Sequence, residues 1–420
     1  MHFWAVPPLL TSREPMRPAP VLLDPPVRIL LGPGPSNMPP RVLRALSLPL
    51  LGHLDPAFLE IMDETQDLLR ETFRTGNRMT FPVSGTGSAG MEACFVNLVE
   101  PGDKVVVCVN GVFGERMADV ASRCGAKINR VEVPWGRAMD PDTVAAAARR
   151  ERPKIIAVVH AETSTGALTE IAPIAAAARE VEALLLVDTV TSLGGIPVEV
   201  DAWGVDACYS GTQKCLSCPP GLSPITFSER AMAAVGARKR KVLSWYLDVT
   251  LLTKYWRTGE AGSAAEPAER VYHHTAPISM IYALREALRI VQEEGLEARW
   301  ARHRLNHRAL VAGLEPLGLP LVVPPAERLP QLNTVRIPEG VADAVMRRAL
   351  LDHFGIEIGA GIGALRGKVW RIGLMGHGSS RENVLTLLCA LEELLPRCGH
   401  PVKPGEALVA AARVYENPGA

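Results

Sequence analysis

Residues 183–188 read Ala-Leu-Leu-Leu-Val-Asp, and 26 residues beyond that aspartate a second segment, Tyr-Ser-Gly-Thr-Gln-Lys, ends at Lys214. The first is a short unbroken apolar run closed by a carboxylate. Such runs mark parallel strands buried on both faces, and open α/β sheets bind their ligands at the carboxyl ends of the strands. A carboxylate there is costly to desolvate unless a cation or hydrogen-bond donors meet it. The second segment, preceded by Asp-Ala-Cys, reads as a strand running into small polar residues and one lysine. At a pocket wall, burial lowers an amine's pKa and favours imine chemistry.

The same grammar extends outward. Lys104–Asn110 (KVVVCVN) and 155–160 (IIAVVH) are further short apolar runs, and IAPIAAAAREVE between 155–160 and 183–188 is helical. FLEIMDETQDLLRETF (58–73) has the 3.6-residue period of an amphipathic helix; further helices are expected over 88–99 and over 114–125, the latter stopped by glycine. Repeated β-α-β predicts an α/β fold, a mostly parallel sheet flanked by helices. Beyond residue 275 the pattern changes. A long helix (279–294) leads to a basic helical stretch, then strand 332–338, helix 341–354, strand 368–375 and helix 381–395, a small α+β unit. The expected organisation is an extended N-terminal arm (1–28), a large domain (29–293), a small C-terminal domain (294–398) and a loosely attached tail (399–420).

With 45 basic and 45 acidic residues among 420, the net charge is zero. A neutral chain carries no global footprint for nucleic acid or an anionic membrane, and no apolar run is long enough to span a bilayer. The eight cysteines are scattered in mostly apolar surroundings, which suits reduced intracellular thiols better than a disulfide framework. Cys215 and Cys218 form one C-x-x-C without a second ligand pair, so no metal is expected. His303 and His307 are spaced as metal ligands can be, but flanking Arg302, Arg304 and Arg308 repel a cation; a solvated helix face is the expectation. The N-terminus shows no clear targeting signal.

Residues 85–90 spell a literal G-x-G-x-x-G. A dinucleotide site needs a strand before it and an acidic residue ending the next strand. The preceding run, MTFPVS, contains Pro82, and the next strand ends at Asn110-Gly111, so a nicotinamide site is disfavoured. A glycine turn opening a helix still offers free amides to a phosphate. A phosphate-holding turn, a strand-end carboxylate and a pocket lysine are together what pyridoxal phosphate requires: the lysine for the imine, the carboxylate to keep the pyridine nitrogen protonated.

On these residues the chain resembles the alanine–glyoxylate (serine–pyruvate) aminotransferases, class-V members of the fold-type I pyridoxal-phosphate enzymes. The resemblance is carried by LLGPGPSNMPPR (30–41), VSGTGSAGMEA (83–93), NGVFGER (110–116), HAETSTG (160–166), LLLVDTVTSLGG (185–195), YSGTQK (209–214), YHHT (272–275) and GKVWRIGLMG (367–376). It implies that Lys214 is the Schiff-base lysine and that Asp188 pairs with the pyridinium nitrogen. Val190 and Phe113 would cover the two ring faces, and Thr163 would bond the ring hydroxyl. Thr86, Gly87, Ser88 and Gln213 would hold the phosphate, with Tyr272 and Thr275 reaching the phosphate of a neighbouring subunit. That arrangement implies a homodimer with shared sites. Arg371 would bind the substrate carboxylate, which suits its planar fork, and Gly34 would line the substrate entrance. Phe113 and Ser88 stand where close family members carry Trp and His.

The activity so implied is ping-pong transamination of alanine or serine with glyoxylate or pyruvate; ureidoglycine–glyoxylate or aminoethylphosphonate transamination is the alternative within the family. The compartment it implies is the peroxisome or mitochondrial matrix. A cysteine desulfurase would need a nucleophilic cysteine near the site, and the loop 324–331 has none. A catalytically dead relative would be expected to lose Lys214, Asp188 or Arg371.

Overall fold

The computed structural model describes residues 23–256 and 270–419. Most of the expected N-terminal arm therefore lies outside the described residues. From edge to edge, the larger sheet is built of Met79–Ser84, Leu222–Phe227, Ala207–Tyr209, Leu184–Asp188, Ile155–Val159, Lys104–Val109 and Lys127–Glu132. Leu222–Phe227 runs antiparallel to both neighbours, and the remaining pairings are parallel. The three central strands Lys104–Val109, Ile155–Val159 and Leu184–Asp188 are buried almost throughout, which is why their sequences do not alternate. The α/β architecture is thus the one expected.

MTFPVS is a strand after all. It lies at the edge of the sheet, where Pro82 faces Pro224 across the ladder. Edge position is where a strand tolerates a proline that cannot donate to the ladder.

The smaller sheet has the order Ile29–Leu31, Ile356–Ala360, Val369–Gly373, Leu332–Arg336. Its first strand comes from the start of the described chain and pairs parallel with Ile356–Ala360. Residues 29–31 therefore join the small sheet, whereas the sequence expectation put residue 29 onward in the large domain. Pairing between residues more than 300 apart leaves no local trace. From there the chain crosses through 32–36 to the large body, where Ser36 N donates to Gln213 O at 2.9 Å.

The tail is also not loose. Glu406–Glu416 is a helix with Ala407 and Ala411 fully buried in the small domain's core. Glu392 receives its first turn, accepting from Gly405 N at 2.9 Å and Ala407 N at 2.8 Å. A carboxylate at a helix N-terminus meets both the free amides and the positive dipole end.

The helices Ile278–Glu294 and Leu296–Leu314 meet at Gly295. Here the solvated-face expectation for the histidines fails. His303 is fully buried: its Nε2 accepts from Gly376 N at 3.0 Å and its Nδ1 faces Arg299 O at 2.7 Å. One nitrogen must accept while the other donates, so the ring is neutral, and burial pushes its pKa down to about 3. His307 bonds Asn333 Oδ1 at 2.7 Å. The flanking charge misled because arginines and histidines share the helix but not a face: Arg304 and Arg308 are exposed, Arg302 pairs with Glu294, and the histidines turn inward.

Candidate active site

Leu184–Asp188 ends in a cleft of about 210 Å³. Thr86, Gly87, Ser88, Phe113, Thr163, Asp188, Val190, Gln213 and Lys214 all line it. Nine of the residues singled out from sequence thus converge from five separate stretches of chain.

Asp188 is 2% exposed. Its Oδ1 accepts from Val190 N at 2.8 Å and its Oδ2 from the Tyr209 hydroxyl at 2.7 Å. Burial pushes its pKa up to about 6, against these two donors and the charge of Lys214. Tyr209 was not anticipated as a site residue. It faces Asp188 because the two are register partners on adjacent parallel strands, and register partners project on one face. Only the strand order reveals that. Met91, Arg116, Ala161 and Thr191 also line the cleft unanticipated.

Burial lowers the Lys214 pKa to about 8, helped by the charge of Arg371. Its Nζ donates to the carbonyl of Pro33. The next residue, Gly34, lies against the same side chain with φ of +105°. The crossing segment between the two sheets therefore forms the wall beside the amine.

Arg371 stands on Val369–Gly373 of the small sheet, opposite Thr334 and Gly359, and is 8% exposed. Its Nε donates to Ala360 O at 2.7 Å and one terminal nitrogen to Thr163 O at 3.2 Å. Two carbonyls thus fix the guanidinium plane beside the cleft. Burial lowers its pKa, opposed by the charge of Glu162.

The helix Gly87–Leu98 opens at the cleft, and its N-cap Thr86 makes no side-chain cap. Free amides at such an end bind phosphate. Tyr272 and Thr275 are elsewhere: they are exposed, bonded to each other at 3.0 Å, and do not line this cleft. Among the described residues no cluster of three His, Cys, Asp or Glu side chains could hold a metal, and no helix is long and apolar enough to cross a membrane.

The model of the family described as aminotransferase class-V matches residues 29–379. The chain belongs to that family. This aminotransferase is 42% identical to the (S)-ureidoglycine–glyoxylate transaminase of Bacillus subtilis (strain 168), over 94% of its own length and 97% of the relative's. It is also 42% identical to the alanine–glyoxylate aminotransferase of Oryctolagus cuniculus, over 89% and 94%. Among solved structures, the alanine–glyoxylate aminotransferase of Nostoc sp. superposes with a TM-score of 0.85 at 50% identity, covering 92% of this chain and 98% of that one.

The class-V enzymes use pyridoxal phosphate, and the residues present fit it. The side-chain amide of Gln213 stands in the cleft wall with its oxygen buried and unpartnered; a flip of the amide exchanges oxygen and nitrogen and would turn its NH₂ toward a phosphate. A buried acid, a helix N-terminus and an amine of lowered pKa stand around one cleft. This is a pyridoxal-phosphate-dependent aminotransferase of the fold-type I class.

Proposed function

We propose that this aminotransferase transfers the amino group of alanine or serine to glyoxylate or pyruvate in two half-reactions. The observation that carries the reading is the bond from Arg371, on the small sheet, to the carbonyl of Thr163 in the cleft wall. A guanidinium beside the cleft that holds Lys214 and Asp188 would suit the carboxylate of short 2-amino and 2-oxo acids.

The cofactor, when bound, supplies an electron sink for the substrate's α-carbon. Lys214 would hold it covalently and, as a free amine, would move the proton at the substrate α-carbon. With a pKa of about 8, about a tenth of the amine is neutral at pH 7, against roughly one part in three thousand for an ordinary lysine. Asp188 would hold the pyridinium nitrogen, Thr163 the ring hydroxyl, and Val190 and Phe113 the two ring faces. Thr86, Gly87, Ser88 and Gln213 would hold the phosphate, Arg371 would grip each carboxylate in turn, and Gly34 would leave room at the entrance.

Steady-state rates with a panel of donors (alanine, serine, ureidoglycine, 2-aminoethylphosphonate) and glyoxylate as acceptor test the assignment. Alanine or serine should lead in kcat/KM. A lead by ureidoglycine would establish the second reading, which the Bacillus subtilis relative favours. Lys214→Ala should lose the visible absorbance of the loaded protein and at least about a thousandfold in turnover; retained turnover would sink the lysine assignment.

The working unit in this proposal is a homodimer in which Tyr272 and Thr275 reach the phosphate of the partner's site. An exposed apolar face supports it. Leu50 is 68% exposed, Trp245 61%, Leu243 76% and Tyr272 47%. The face is tied together by ring contacts of His53 with Tyr272 and of Trp245 with His273. Apolar area of this kind on one face marks an interaction site. Sedimentation equilibrium should give a dimer, and Trp245→Glu with Leu50→Glu should shift it to monomer with loss of cofactor affinity. A monomeric, fully loaded wild-type enzyme would end the shared-site reading.

A further inference from the structure

Glu162 is fully buried beside the cleft and has no part in the chemistry above. Its carboxylate receives four donors. Oε2 accepts from the amides of Phe113 (3.1 Å) and Gly114 (3.4 Å), and Oε1 from the amide (3.0 Å) and hydroxyl (2.6 Å) of Ser164. The Ser164 oxygen in turn accepts from Val112 N at 3.0 Å. Three successive amides of the first turn of the helix Val112–Arg123 are therefore held, directly or through one hydroxyl, by a single carboxylate. This is a charged group on free amides at a positive dipole end. Burial pushes the Glu162 pKa up to about 7 against these donors, so at pH 8 the group is mostly the carboxylate.

The space is made for that carboxylate. The residue preceding the helix is Gly111, where a Cβ would stand 2.5 Å from the Glu162 carboxyl carbon and 2.3 Å from Ser164 Oγ. The same helix turn presents Phe113 to the cleft. The peptide after Glu162 presents Thr163, whose carbonyl accepts from Arg371.

We propose that Glu162 is a positioning residue: its buried carboxylate locks the first turn of Val112–Arg123 and thereby sets Phe113 against the cofactor ring. The assignment rests on the reading of Phe113 as the ring-stacking residue. Because the carboxylate acts through Phe113, its removal and the removal of Phe113 must not count twice. Residues acting as one unit are non-additive.

The experiment measures the affinity of the apo protein for added pyridoxal phosphate at pH 8, by quenching of tryptophan fluorescence. It compares wild type, Glu162→Gln, Phe113→Ala and the double variant, with the melting temperature of each apo protein as control. Glu162→Gln keeps the shape but turns an NH₂ toward donors. It should weaken cofactor binding about tenfold, Phe113→Ala by a similar factor, and the double variant by no more than about the larger of the two. Two outcomes would overturn the proposal alone: wild-type affinity in Glu162→Gln while Phe113→Ala loses affinity, or losses that multiply in the double variant. Wild-type affinity in Phe113→Ala would strike the ring assignment and the proposal together. If Glu162→Gln does not fold, Ser164→Ala replaces it in the same comparison. It removes one donor and the acceptor of Val112 N, and should give a loss of about threefold that vanishes when Phe113 is alanine. Unchanged affinity there overturns the proposal equally.

Discussion

A Cβ placed on Gly34 would stand 2.6 Å from both Cδ and Nζ of Lys214. The residue that crosses from the small sheet to the large body is thus the one whose missing side chain makes room for the amine. Its φ of +105° lies in a region that L side chains rarely adopt. Gly34→Ala should therefore lower cofactor loading and turnover by at least about tenfold, while the apo protein melts within a few degrees of wild type. Absorbance of the loaded protein checks the first and calorimetry the second. A fully loaded, active Gly34→Ala would mean that the lysine has more room than this packing allows.

Asp188 gives a prediction with opposite signs for stability and binding. Its folded pKa of about 6 lies above the ordinary 3.8, so the folded protein holds this proton more tightly than the unfolded chain. The group's contribution is then unfavourable once ionised, and stability is lost as pH rises from about 4 to about 6. Apo Asp188→Asn should be more stable than apo wild type above pH 6, by roughly 2–3 kcal/mol at most, with the difference closing below about pH 4. Its cofactor affinity should fall. Denaturant titrations across pH check the first, and loss of the stability gain would show that the donors from Val190 and Tyr209 outweigh burial.

Arg299 joins the helix pair to the loop that carries Lys214. It donates to Gly194 O at 3.0 Å and Cys215 O at 2.6 Å, and pairs with Glu294 at 2.6 Å. Arg299→Met leaves two carbonyls and part of a carboxylate unmet. Breaking a buried pair from one side costs on the order of 3–5 kcal/mol. Urea unfolding should register a loss of that order, and Arg299→Lys, which keeps the charge but not the fork, should recover only part of it.

The C-terminal helix is a structural element of the small domain. Ala411 is fully buried against it, so Ala411→Asp buries an unpaired charge and should lower the melting temperature by several degrees. The exposed substitution Val409→Asp on the same helix should leave it nearly unchanged. Equal effects of the two would mean that the helix does not dock in solution.

Much of the site was legible because its parts are local. A strand-end aspartate, a glycine turn opening a helix and a lysine after small polar residues each sit within a few residues of the pattern that marks them. The charged and buried exceptions were not. His303 and His307 read as a solvated face, since nothing within the helix announces that the backbone of Gly376 and the side chain of Asn333 will meet them.

Sequence alone determined the α/β class, the central buried strands and the residues that converge on the cleft, because periodicity and apolar runs are properties of consecutive residues. Tertiary structure decided that Ile29–Leu31 joins the small sheet, that Tyr209 faces Asp188, that Gly34 lies on Lys214 and that Glu162 anchors the Phe113 turn. Each of these is a contact between residues far apart in the chain. Strand order and register bring them together, and neither is encoded in any single segment.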